Sequence, residues 1–349
     1  MDELRNEIDS CDNRILDILL ERHALAQQLG SIKRERGLPI FDPVREQEII
    51  DRLTELNARR IDPHTIGTVW REIFSASRQA QQPTKVAYLG PEGTFTQQAA
   101  LTRFGASASS IAANTISAAF NMAANRTVDY AVLPVENTMH GIVGETVDLL
   151  GAARLPLIVG EIVIPINMVF SSRAEELAGV ARIYSKNEAF RQCSVFLDQS
   201  GLAGAVRIPV ASTAEAARRA TDDPEGAALS SEIAANQAGV PIRFRHVEND
   251  PRNKTRFFIL GQDRLQATGD DKTSVFAKVP NVSGGLEKLL RNFREKGINL
   301  SKIESRPMDS SVSFETWFYI DLDGHASEPA VAAILKEHDL VWLGSYPRC

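Results

Sequence analysis

Between Leu4 and Ile32, apolar side chains recur at alternating steps of four and three: Leu4, Ile8, Cys11, Ile15, Ile18, Leu25, Leu29 and Ile32. That spacing is the signature of a long helix packed along its length against other helices. The seam is interrupted once, by Arg22, at the step where another apolar side chain is due. A guanidinium cannot shed its charge, so burying it is costly unless an anion or several acceptors meet it. Two readings stay open. Arg22 snorkels outward or pairs with a core carboxylate, or the helical core is a pocket for an anionic ligand.

The chain has 349 residues, enough for two or three domains with separate cores. Its 45 acidic residues outnumber 39 basic ones, so no nucleic-acid-binding surface is expected and any anion site must be a local cluster. No apolar run approaches the ~20 residues that span a bilayer, and the charged opening MDELRNEIDS does not read as a signal peptide. Cys11, Cys193 and Cys349 form an odd, scattered set, which fits a reducing cytoplasm. The histidines are equally dispersed, and no metal site is expected.

Three textures follow one another. Residues 1 to 82 read as helical only: Asp42-Pro43 and Asp62-Pro63 each place an N-cap before a proline at the first helical position. Three helices with one apolar stripe close a poor core alone, so this segment is expected to dimerise. Residues 85 to 262 alternate short strands with helices over 94–104, 115–126, 141–151, 187–199, 212–222 and 231–238, an α/β pattern. The run 157–170 is expected to be one strand crossing between two lobes. Residues 263–271 read as a linker. Residues 272 to 349 read strand (273–279), helix, strand, strand (312–322), helix, strand, the ferredoxin-like α+β plan.

On the first helix, Lys33 shares a face with Arg22, about 16 Å along the axis, while Arg5 is rotated about a quarter turn away. Arg5 therefore serves a partner's pocket more easily than its own. Asp42, Arg45 and Glu46 form one ridge of the second helix, and Ser77 and Gln81 are spaced i, i+4 on the third. In the second segment three polar turns stand at strand ends: Gly90 to Thr96, Pro134 to Thr138 and Asn253 to Phe257. Each is either a capping turn or part of a site, since glycine turns and helix N-termini favour anions.

The strings LRNEID, LLERHALAQQLGSIK, DPVREQEII and SASRQAQQ resemble the all-helical chorismate mutase family. That resemblance implies that Arg22 and Arg45 hold substrate carboxylates, with Arg5 arriving from the partner subunit. It puts Lys33 and Gln81 at the ether oxygen, Glu46 with Asp42 at the ring hydroxyl, and Ser77 in the pocket. A Claisen rearrangement needs a folded substrate pose and stabilised charge on the breaking C–O oxygen, without a nucleophile or cofactor.

GPEGTFT, PVENTMHGIVGET, STAEAA, AALSSEIAA and NKTRFFILG resemble the signature of prephenate dehydratases. This implies a two-lobed, periplasmic-binding-protein-like fold in which Thr255 assists departure of the ring hydroxyl as the neighbouring carboxylate leaves as carbon dioxide. Thr94, Glu136, Asn137 and Ser230 would orient the substrate, Arg256 would attract a carboxylate, and Phe257 completes the triplet. Two departures stand out: Ser185-Lys186-Asn187-Glu188 replaces Ser-His-Pro-Gln, and Met168 stands where a histidine is common. GGLEKLL and GINLSKIESRP resemble the amino-acid-sensing ACT family, which implies phenylalanine binding near Gly284, Gly285, Leu286, Glu304, Ser305, Arg306 and Pro307 in a dimer.

The expectation is a cofactor-free bifunctional enzyme of phenylalanine biosynthesis that takes chorismate and prephenate, answers to phenylalanine and forms a homodimer. Two other readings stay open: a dehydratase that prefers arogenate, and a catalytically weakened sensor of amino acids.

Overall fold

The computed structural model describes all residues except 59, 153, 154 and 308–315, and nothing of the Pro307 side chain. The chain divides into two compact units. One comprises Met1–Lys85 with Leu101–Ser109, the other Val86–Ala100 with Ser110–Cys349.

The first unit is built on α1 (Asp2–Glu35), α2 (Pro43–Leu56) and α3 (Pro63–Gln81). Asp42 caps α2 by accepting the Arg45 N–H at 3.0 Å, with Pro43 in the first turn. Asp62 precedes Pro63 in the same way but makes no side-chain cap bond. Helices α1 and α3 meet where Gly30 faces Gln81: a Cβ on Gly30 would lie 2.8 Å from the Gln81 Cβ, so only glycine allows this approach. Phe41, Ile66 and Phe74 form the buried apolar centre, and Phe104 stacks on Phe41 at 5.2 Å.

The α1 seam finds no cover within one chain. Leu4 is 65 % exposed, Ile18 61 % and Leu25 57 %. All eight seam side chains, Cys11 among them, are exposed along a helix of about 50 Å and form a continuous apolar strip.

In the second unit, β1 (Lys85–Leu89), α4 (Phe95–Phe104), β2 (Ser109–Ala113), α5 (Ile116–Ala124), β3 (Tyr130–Asn137), β4 (Gly141–Ile142), α6 (Gly144–Ala152) and β5 (Leu157–Pro165) build most of one lobe. Then come β6 (Val169–Ser172), β7 (Arg182–Ser185), α7 (Asn187–Gln192), α8 (Ser194–Gln199), β8 (Val206–Pro209), α9 (Thr213–Asp222), β9 (Gly226–Ser230), α10 (Glu232–Ala238) and β10 (Ile242–Arg245). β11 (Lys254–Gly261) returns to the first lobe. The first sheet has the order β2-β1-β3-β11-β5 with β4 beside β3, and the second β10-β6-β9-β7-β8.

Two sequence expectations change here. Residues 157–170 are two strands in two sheets, because Pro165 has no N–H to continue the ladder and Ile166 donates instead to the Asn253 carbonyl at 2.9 Å. The helix 187–199 is two helices broken at Cys193. Asn249 enters the break, donating to the Arg191 carbonyl at 3.0 Å and accepting the Val195 N–H at 3.1 Å.

The C-terminal part is β12 (Asp271–Lys278), α11 (Gly285–Glu295), β13 (Leu300–Pro307), β14 (Thr316–Asp323), α12 (Pro329–Glu337) and β15 (Val341–Pro347). The start of the strand expected from 312 lies outside the described residues. Its sheet runs β13-β14-β12-β15, antiparallel throughout, the ferredoxin-like order. Phe276, Tyr319, Leu343 and Tyr346 of this domain share one apolar core with Ile158, Phe258 and Leu260 of the first lobe. Gly344 lets β15 come against the Ile158 backbone, where a Cβ would collide with the carbonyl oxygen. Each fully buried large side chain in that core contributes roughly 1.5–3 kcal/mol, so the two parts hold together firmly.

Candidate active sites

In the helical unit, Arg22 extends from α1 to α3, where its guanidinium donates to the Ser77 hydroxyl and lies 5.5 Å from the Phe74 ring centre. Burial lowers the Arg22 pKa, and the charge of Glu46 opposes that shift. Lys33 is half-buried, and its Nζ donates to the Ile40 carbonyl at 3.1 Å. Gln81 Oε1 is buried with no hydrogen-bond partner among the described residues. Among the described residues the hydrogen bonds of the two cations go to neutral acceptors, and Glu46 acts on Arg22 through its charge alone. Among the described residues Arg22 forms no salt bridge with a core acid, although Glu46 is close enough for its charge to be felt.

Glu46 is engaged by Arg78, a cation sequence reading passed over although it follows Ser77 directly. Arg78 is 4 % exposed and also donates to the Phe104 carbonyl at 2.8 Å. The remaining expected residues do not join this group within one chain. Arg5 is exposed beside Asp2 at 3.3 Å, Arg45 pairs with Glu48 at 2.8 Å on the exposed face, and the Asp42 carboxylate is used as a cap.

The second constellation stands where β3 ends and β11 begins. The antiparallel register sets Thr255 opposite Asn137. Asn137 Nδ2 donates to Thr255 Oγ1 at 2.9 Å, to Asn253 Oδ1 at 2.9 Å and to the Lys254 carbonyl at 3.1 Å. Its Oδ1 accepts the Met139 and His140 N–H groups at 2.9 and 3.1 Å, so the amide is fixed at both ends. Thr255 is 8 % exposed. Because Nδ2 donates into Oγ1, the threonine proton is left for another acceptor.

A cleft beside this pair is lined by Met139, His140, Glu188, Arg191, Gln192, Glu248 and Asn253. The Glu188 carboxyl pKa is held low, first by its own N–H at the start of α7, then by Lys186, Arg191 and His140. Met168 is buried, and its N–H donates to Glu248 Oε2 at 2.7 Å, while Glu248 Oε1 has no hydrogen-bond partner among the described residues. Thr94 behaves as a helix cap, donating to the Leu89 carbonyl at 3.1 Å and accepting the Gln97 N–H at 3.3 Å. Ser230 is fully buried and donates to the Ser231 carbonyl at 3.1 Å. Gly93, at φ +83°, lies against Ala214 and Ala234 of the second lobe, and Ser231 Oγ donates to its carbonyl at 2.6 Å.

Glu136 and Arg256 are placed differently from Asn137 and Thr255. Successive side chains on a strand point to opposite faces, so each turns away from its neighbour. Arg256 donates to Glu161 at 2.6 Å, to Asp321 at 2.6 Å and to the Tyr346 hydroxyl at 3.1 Å. Burial by itself would lower the Arg256 pKa, but Tyr346, Asp321, Tyr319 and Glu161 more than offset it and raise the value. Glu136 accepts from Lys302 at 2.7 Å. Phe257 is 1 % exposed in the core.

In the C-terminal domain, Gly284 precedes α11 at φ +80°, and Gly285 leaves no room for a Cβ beside the Pro280 carbonyl. Leu286 is half-buried. Glu304 shares the half-buried face of β13 with Arg306, whereas Ser305 is exposed. Arg306 is held by Asp148 through two bonds of 2.9 and 2.6 Å.

A helical unit with two cations set among neutral acceptors, and a two-lobed α/β unit carrying a threonine–amide pair, define a chain with two catalytic modules. The first matches the family Chorismate mutase type II over residues 4–82, the second the family Prephenate dehydratase over residues 86–265. The chain is 39% identical to a bifunctional chorismate mutase/prephenate dehydratase of Aquifex aeolicus over 99% of this chain and 97% of that one. It is 36% identical to the protein so described from Neisseria gonorrhoeae, over 98% and 96%. The crystal structure of prephenate dehydratase in complex with L-Phe from Arthrobacter aurescens superposes with a TM-score of 0.69 at 33% identity, covering 76% of this chain and 90% of that one. The chain belongs to the bifunctional chorismate mutase/prephenate dehydratase family. It is an enzyme of phenylalanine biosynthesis with both activities. Among the described residues, no helix is long and apolar enough to cross a membrane.

Proposed function

We propose that residues 1–82 rearrange chorismate, that residues 85–262 convert prephenate to phenylpyruvate, and that residues 272–349 sense phenylalanine. The observation that carries the dehydratase assignment is the Asn137–Thr255 bond at 2.9 Å beside the cleft. The Thr255 hydroxyl donates its proton to the departing ring hydroxyl. At the same time the bond to the carboxylate breaks and its electron pair enters the ring, so carbon dioxide and water leave an aromatic product. The Thr255 oxygen, left negative and steadied by the Asn137 N–H, takes a proton back from solvent to close the cycle. Aromatisation supplies the driving force, so a positioned weak acid suffices. Asn137 orients Thr255, while Thr94 caps its helix and Ser230 holds the end of β9 from within the core. Glu136 and Arg256 act from behind rather than by touching substrate.

In the first unit Arg22 and Ser77 hold a substrate carboxylate, while Lys33 and Gln81 stabilise charge on the ether oxygen. Glu46, steadied by Arg78, takes the ring hydroxyl. The exposed seam of α1 is covered by a second copy, which brings Arg5 to its partner's pocket and reorients Arg45 towards substrate. Ile18→Glu should therefore yield monomers in analytical ultracentrifugation and lose most mutase turnover. A dimer of normal activity would refute this arrangement. The three free cysteines, Cys193 fully buried, suit a reducing cytoplasm.

The relative from Arthrobacter aurescens was crystallised with L-Phe, and the same C-terminal plan here supports feedback by phenylalanine at Gly284, Gly285 and Leu286 with Glu304 and Ser305. Millimolar phenylalanine should depress dehydratase turnover and leave mutase turnover unchanged; indifference of both removes the sensing role. Arogenate is the alternative substrate, since Glu188 and Glu248 both line the cleft, Glu188 3.7 Å from Arg191 and Glu248 3.5 Å from His246, and its ammonium group would compete with those neighbours. Specificity constants for prephenate and arogenate, measured side by side, decide between them.

A further inference from the structure

We propose that Lys302 and Asp321, both in the C-terminal domain, are positioning residues for dehydration that hold the Asn137–Thr255 pair from behind. The proposal rests on the assignment of that pair and extends it. On the cleft side the two strands are joined by the Asn137–Thr255 bond of 2.9 Å. Directly behind them the register pairs Glu136 with Arg256. Each is gripped by a charge of the C-terminal sheet: Glu136 by Lys302 of β13 at 2.7 Å, Arg256 by Asp321 of β14 at 2.6 Å.

These ties belong to a buried network. Asp321 is 1 % exposed in its side chain and Glu161 2 %. Glu161 links Arg256 to Lys272 of β12 at 2.7 Å, and Asp321 also accepts from Ser274 at 2.6 Å and from Tyr319. Charges buried this deeply tolerate little displacement, because a lost partner leaves an uncompensated ion. The β3–β11 register also shifts between Arg256 and Phe257, one step beyond Thr255. β11 keeps its register with β5 from Lys254 to Ile259, so the irregularity loosens β3 against β11 and leaves β11 itself in place. The ion pairs on Glu136 and Arg256 therefore add a constraint on β3 against β11 at that irregular step. One consequence is that any ligand displacing the C-terminal sheet acts on the catalytic pair through these two contacts.

The test uses the full-length protein and the variants Lys302→Met, Lys302→Arg and Asp321→Asn, with mutase turnover and thermal melting as controls for folding. Lys302→Met should lower dehydratase kcat about tenfold with KM within about twofold, since a misplaced group costs turnover before it costs binding. Lys302→Arg should restore most of the loss, and Asp321→Asn should lose more than Lys302→Met. The inference is overturned if folded Lys302→Met and Asp321→Asn keep kcat within about twofold of the parent, or if only KM changes. Should Asp321→Asn fail to fold, Lys302→Met decides alone, because its side chain is 24 % exposed and leaves no buried ion behind. Thr255→Ala, assayed in parallel, separates failure of this inference from failure of the site itself. An active Thr255→Ala refutes the site, whereas an inactive one beside neutral Lys302 and Asp321 variants refutes only the clamp.

Discussion

Thr255→Ala is expected to lower dehydratase turnover by at least about a thousandfold while mutase turnover stays at the parent level, the upper part of the range for a lost general acid. The geometry makes this a clean substitution. Asn137 keeps its other two acceptors, the Asn253 amide oxygen and the Lys254 carbonyl, so removing the hydroxyl leaves the strand ends tied. Thr255 is nearly buried, which leaves little room for water to take over as proton donor. Thr255→Ser retains an oxygen in the same place and should recover a large part of the rate. Steady-state assays of both reactions on each variant check this. Parallel loss of the two activities would indicate misfolding instead of chemistry.

Lys33→Ala should produce the converse, a loss of several kcal/mol of transition-state stabilisation, about a hundredfold to a thousandfold in mutase kcat, with dehydratase turnover intact. Lys33 is held by the Ile40 carbonyl at 3.1 Å, which orients the ammonium without neutralising it. A full positive charge in a half-buried helical pocket is what a developing negative charge on the ether oxygen requires. Arg22 is arranged on the same principle, with a hydroxyl and an aromatic face as partners. A Lys33→Ala enzyme with near-normal chorismate turnover would remove lysine from the mechanism.

Much of the architecture was legible because it rests on short-range pattern. The four-three seam became the 34-residue helix α1, the proline-led N-termini opened α2 and α3, and the last six elements followed the order read from the chain. Family resemblance pointed to Thr255 and Asn137, but their contact spans 118 residues and depends on strand register that no local pattern encodes. Arg256 shows a signal that was present and unused. Alternation along a strand already places it on the face opposite Thr255, away from any substrate the threonine touches. Arg78 was overlooked because a cation late in a helix reads as ordinary surface, and only packing beside Phe104 buries it. The split of 157–170 was foreshadowed by Pro165, whereas the break at Cys193 depends on Asn249 arriving from far along the chain. Arg5 and Arg45 stand apart from Arg22 and Lys33 within one chain, Arg5 beside Asp2 and Arg45 beside Glu48, and no spacing along the chain announces those partners.

The most direct test follows carbon from chorismate to phenylpyruvate with the parent, Thr255→Ala, Lys33→Ala and an equimolar mixture of the two variants. The account predicts that Thr255→Ala accumulates prephenate, that Lys33→Ala leaves chorismate unconsumed yet converts supplied prephenate, and that the mixture restores phenylpyruvate. Phenylpyruvate formed from chorismate by Thr255→Ala alone at the parent rate would contradict it.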